Sequence, residues 1–109
     1  MPFTDTPWST PRSDLSADDF CSVCLIDSNP TGQEKAKANC KLPVRSTPGG
    51  PFNKAAIRNA IARFPQMEGI AADERRKAAR RLISLAKEAE IAVNSESLYR
   101  MAGMKPPGR

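Results

Sequence analysis

The chain has 109 residues, a net charge of +5, three cysteines and no histidine, which bounds it to one domain and removes the commonest general base. Leu, Ile, Val and Phe together number 19, about 17% of the residues, below the ~20% expected of a self-sufficient globule. A small core of marginal stability follows, one that partner contacts help to complete. No apolar run approaches the ~18 residues of a membrane span, and Met1 to Thr10 lacks the apolar stretch of a signal peptide. With an odd number of cysteines and no secretory feature, reduced thiols and a cytoplasmic origin are expected.

The charge is unevenly placed. Residues 1–34 hold six acids against one base, Arg12, whereas residues 35–109 hold sixteen bases against six acids. Such a chain is suited to steering onto acidic surfaces or to pairing head to tail with copies of itself.

Residues 1–18 have no helical or strand period and are punctuated by Pro2, Pro7 and Pro11, so they read as an extended N-terminal arm. A polar arm offers no core of its own to Phe3 and Trp8. They are therefore the candidate partner anchors, together with Arg12. Alternatively, Trp8 folds back onto its own domain.

Residues 19–103 read as a small helical domain that opens on a β-hairpin. Its strands are expected at Phe20–Ile26 and Lys41–Val44, around a long loop with turn signals at Asn29-Pro30 and Thr31-Gly32 and one helical turn at 34–39. Residues 45–52 (RSTPGGPF) break the chain, and Asn53 caps a helix running to about Phe64. Ile57, Ile61 and Phe64 form its apolar stripe, with Ala56 and Ala60 beside them. Pro65 stops it. Met67 and Ile70 tuck inward along the link that follows.

A second helix is expected from about Ala72 to Ala89, with Asp73 and Glu74 in the first turn, where the helix dipole favours acids. Its buried stripe is Ala78, Leu82, Leu85, Ala86 and Ala89. Arg76, Lys77, Arg80, Arg81 and Lys87 fan over the other side. After extended Ile91 and Val93, Asn94 or Ser95 caps a last short helix that buries Leu98, Met101 and Ala102 and stops at Gly103. Residues 104–109 are a C-terminal tail. The fold class is α+β and mainly α: a short hairpin on two main helices and a short third, flanked by extended arms.

Catalysis is not expected. Cys–His chemistry is excluded, Gly49-Gly50 lacks the Lys and Ser/Thr of a phosphate loop, and Asp18-Asp19 point apart into water. Cys21, Cys24 and Cys40, with Asp27 as a fourth ligand, are weak zinc candidates, because a structural site wants four Cys or His donors. Buried thiols packing as small hydrophobes are the expected state, with a disulfide the least favoured alternative, and no cofactor is expected. The cations at 76–87, extended by Arg58 and Arg63, offer a basic face for phosphates. No aromatic interleaves it for base stacking, so a solvated charged face is the plainer reading.

The order of certain phrases resembles a group of small uncharacterised domains of tailed bacteriophages and prophages: Cys24-Leu25-Ile26-Asp27; Cys40-Lys41-Leu42-Pro43-Val44; Asn53, Ala56, Asn59 and Ala60; Lys77-Ala78-Ala79-Arg80-Arg81-Leu82; Glu88-Ala89; and Leu98 with Ala102-Gly103. The resemblance covers roughly 20–103 and brings no catalytic residues. It implies a head-region role as a minor capsid, cement or decoration protein, made in the host cytoplasm and carried in the virion. The expected partners are the major capsid protein and copies of this chain. A small basic nucleic-acid binder is the alternative.

Overall fold

The computed structural model describes residues 3–9, 15–30, 32–67 and 69–105. About 48% of the described residues are helix and 14% strand, a mainly-α α+β fold as the sequence predicts. In chain order the elements are β1 (Phe3–Thr4), α1 (Ala17–Val23), β2 (Cys24–Asp27), β3 (Cys40–Pro43), β4 (Phe52–Asn53), α2 (Lys54–Arg63), α3 (Ala72–Glu88) and α4 (Glu96–Met101). Short 3₁₀ turns occupy Lys37–Asn39 and Phe64–Gln66.

The hairpin is antiparallel β2–β3, with Cys24 opposite Pro43 and Asp27 opposite Cys40. Its first strand is shorter than expected from Phe20–Ile26. Residues 17–23 form α1 instead, because Ser16 caps it by accepting the Asp19 N–H and Asp18 and Asp19 occupy its first turn. Phe20, Cys21 and Val23 then lie on its buried side. The β-prone composition of FCSVCLI yields to this cap up to Val23, and strand begins only at Cys24.

The main core joins the hairpin to the helices. Ile57 and Phe64 from α2 and its 3₁₀ extension meet Ala79, Leu82 and Ala86 of α3 and Leu98 of α4, and Leu25, Ile26 and Val44 close it from the hairpin. Ile57, Leu82 and Leu98 are fully buried. Asn53 caps α2 as expected, accepting the Ala56 N–H at 3.0 Å, and Ser95 caps α4 through the Leu98 N–H.

The last two helices end in the same way with different residues. After α3, the Ile91 N–H reaches Ala86 O at 2.8 Å; after α4, the Met104 N–H reaches Tyr99 O at 2.9 Å. Both closures need a left-handed residue. Gly103 supplies it at φ 70° for α4, as expected, whereas Glu90 supplies it at φ 61° for α3.

Candidate partner-binding site

The N-terminal segment lies on the body rather than standing away from it. β1 pairs in parallel with β4, Phe3 beside Phe52 and Thr4 beside Asn53. The Phe3 and Phe52 rings sit 6.0 Å apart, and the Arg45 guanidinium lies over the Phe52 ring, 4.8 Å from its centroid. The Asn53 side chain holds both sides of this junction: its oxygen caps α2, and its Nδ2 donates to Thr6 O at 2.9 Å. It is the buried polar side chain of the described core. Asp5 lies 3.9 Å from Lys54, an exposed contact of little energetic weight.

Trp8 is half-buried over a groove of about 230 Å³ lined by Leu42, Pro43, Ala56, Asn59, Ala60 and Arg63. Leu42 sits there with φ 64°, a strained conformation for a branched side chain. The expectation that Phe3 finds no seat on its own domain is corrected, and for Trp8 the alternative of folding back onto the body is the one the structure shows. An open edge at β4 supplies main-chain partners, and the hairpin and α2 supply a groove wall of mixed polar and apolar residues. Arg12 lies outside the described residues.

All seven predicted cations are exposed: Arg58 and Arg63 on α2, and Arg76, Lys77, Arg80, Arg81 and Lys87 on α3. Among the described residues none of the seven is in an ion pair. They do not share one groove. Lys77 and Arg81 line a cleft of about 220 Å³ together with Asp27 and Glu74, so acids interrupt the positive surface there. Arg80 Nε donates to Ala102 O at 2.7 Å and is committed to the end of α4. Arg58 borders a separate cavity with Ile61, Glu90 and Ile91, and Arg63 borders the Trp8 groove.

The cysteines depart from expectation. Cys21 and Cys40 form a disulfide that ties α1 to β3 across the long loop, and Cys24 is buried beside it with Phe20. The three do pack as small hydrophobes, but two of them are oxidised. The cause is the placement of α1, which brings the Cys21 and Cys40 Cα atoms to 5.3 Å. Around the bridge, Asn29 is a hub. Its Nδ2 donates to Asp27 Oδ1 at 2.8 Å and approaches Cys40 Sγ at 3.2 Å, while its Oδ1 accepts from the Ala36 N–H at 2.8 Å. Lys35 pairs with Asp27. Burial pulls the Asp27 carboxyl up, but the hydrogen bonds from Lys35 and from the Asn29 backbone and side chain outweigh it, leaving the group below its ordinary value of 3.8.

Sequence reasoning missed β1, α1, the pairing of Cys21 with Cys40 and the second role of Asn53. Ser16 followed by two acids was a legible helix start; the amide contact of Asn53 with Thr6 had no local signal. No helix among the described residues is long and apolar enough to cross a membrane. Comparison with protein-family models, with curated proteins and with solved structures gives no match.

Proposed function

We propose that the chain is a bacteriophage virion structural protein, a capsid cement or minor capsid protein that binds the major capsid protein shell. The observation that carries this reading is the seat of the N-terminal segment. It is held by a two-residue strand pairing, one side-chain amide and two aromatic residues that are only partly buried. A segment held that lightly can leave β4 and add to a strand edge of a neighbour, with main-chain pairing for affinity and Phe3 and Trp8 as side-chain anchors. The acidic first third and the basic remainder suit a clamp between shell subunits or between copies of the chain.

The test is sedimentation of labelled chain with phage heads that lack it. Phe3→Ala and Trp8→Ala are expected to reduce retention on the order of tenfold or more. Retention equal to that of the unaltered chain overturns the reading.

Nucleic-acid binding is a second reading, favoured by the seven exposed cations that are outside ion pairs among the described residues. It requires duplex or single-strand binding that weakens steeply with salt and falls in Arg76→Ala/Lys77→Ala/Arg81→Ala. The acids in the Lys77–Arg81 cleft make it the weaker of the two.

A further inference from the structure

The sulfur bridge lies beside a carboxylate, and this arrangement holds more chemistry than a staple needs. Cys21 Sγ, Cys40 Sγ and a carboxylate oxygen of Asp27 all lie within 4.8 Å of one another. They come from three elements: Cys21 from α1, Asp27 from the end of β2 and Cys40 from the start of β3, directly opposite Asp27 in the hairpin. One amide group addresses all three, since Asn29 Nδ2 lies 2.8 Å from Asp27 Oδ1, 3.2 Å from Cys40 Sγ and 3.5 Å from Cys21 Sγ. Such a donor stabilises negative charge on each of them.

We propose that Cys21, Cys40 and Asp27 form a redox-gated site for a thiophilic divalent cation of the zinc class, closed while the disulfide stands and open once it is reduced. Reduction by a dithiol transfers two electrons and two protons to the bridge, and the dithiol becomes a cyclic disulfide. Metal binding then releases both thiol protons and forms two sulfur–metal bonds. Two thiolates and one carboxylate are hard enough in charge and soft enough in sulfur to select zinc over calcium or magnesium. Zn–S bonds of about 2.3 Å in a tetrahedron place the sulfurs about 3.8 Å apart. That separation needs side-chain torsions to open, because the two Cα atoms are already 5.3 Å apart. The remaining position is left to water. Cys24, buried in the same sulfur cluster, is not one of the three clustered ligands.

The site has a reason to exist in this fold. The disulfide ties α1 to β3 around a long loop, and a reducing compartment removes that tie. A cation held by the same two sulfurs and by β2 restores it. Lys35 is the internal competitor: its ammonium pairs with Asp27 in the oxidised chain and must withdraw before the carboxylate takes a metal. The site is independent of the shell-binding reading.

The experiment uses the full chain, reduced with dithiothreitol, desalted without oxygen and titrated with Co²⁺ and then Zn²⁺. The expected result is one cobalt per chain, with a thiolate-to-cobalt charge-transfer band that zinc abolishes, and no band from the oxidised chain. Cys40→Ser is expected to lose the band, and Asp27→Asn to weaken binding at least about tenfold. Lys35→Ala is expected to tighten it. Circular dichroism in parallel covers a reduced chain that loses its helices, where zinc is expected to restore them. A reduced chain that takes up no cobalt, that zinc fails to refold, or that binds equally well as Cys40→Ser overturns the proposal, as does equal binding by the oxidised chain.

Discussion

Residues 15–53 and residues 54–105 reach a folded state by different means. The second region is held by periodic apolar stripes: α2, α3 and α4 bury Ile57, Leu82 and Leu98 against one another. The first has short elements and little periodicity. It lends Leu25, Ile26 and Val44 to the main core and is otherwise held by a covalent bridge between Cys21 and Cys40, by the Asn29 hub and by Asn53, with a sulfur-lined minor core of Phe20, Cys21, Cys24 and Cys40. Where the chain lacks enough apolar area to order a region, specific polar and covalent links take over, and these links respond to redox state and pH.

The largest expected effect separates the regions at the core. Leu82→Ala removes a fully buried side chain from α3 and is expected to cost about 2–5 kcal/mol. Urea unfolding followed by circular dichroism checks it, and a loss below 1 kcal/mol would mean that the helical region does not carry the fold. Next comes the bridge. Reduction, or Cys21→Ser/Cys40→Ser, opens a loop with a sequence separation of 19 and is expected to cost about 3 kcal/mol. Hydrogen exchange in metal-free buffer should rise across the loop between β2 and β3 while α3 stays protected. Equal loss of protection in both regions would break the contrast drawn between them.

A smaller effect is expected at the junction. Asn53→Asp keeps the oxygen that caps α2 but replaces the donor to Thr6 O with a buried carboxylate oxygen facing that carbonyl, so the N-terminal segment is expected to be expelled while the α2 cap is kept. Asn53→Ala loses the cap as well as the donor, and the lost cap is expected to cost about 1 kcal/mol. Trp8 is the sole tryptophan, so its emission reports the segment directly. A red shift in Asn53→Asp without loss of helix signal is the expected result, and an unmoved spectrum would show that the amide does not hold the segment.

The smallest effect is a pH dependence. The folded Asp27 carboxyl lies below its ordinary value of 3.8. It therefore contributes stability above that value, and the contribution is lost as pH falls through the folded value. Neutral pH retains it in full. Asp27→Asn should flatten the acid limb of the stability curve while leaving the oxidised fold intact, and an unchanged acid limb would remove Asp27 from the loop's support.

The sequence was most legible where one residue type has one physical reading. Asn53 and Ser95 as caps, Gly103 as a left-handed ending and the apolar stripes of α2 and α3 all appear where local chemistry puts them, whereas Pro65 lies within a 3₁₀ turn and the chain becomes extended only at Met67. Legibility failed where a distant contact decides. FCSVCLI has strand composition, yet Ser16 and two acids make its first half helical. The disulfide depends on that helix, so a reading that made Cys21 part of a strand had no means of pairing it with Cys40. Glu90 ends α3 in a conformation usually left to glycine, so nothing in its identity marked it. For the candidate site, Phe3, Trp8 and the seven cations were legible as residue types, but their seats were not. Trp8 needs the floor formed by Leu42 and Ala56, which are 34 and 48 positions further along the chain.

If the proposed shell-binding reading holds, the most direct test is quantitative mass spectrometry of washed phage particles, counting the chain against the major shell protein. The account predicts a fixed ratio that matches a multiple set by the capsid lattice. Absence of the chain from those particles would contradict it.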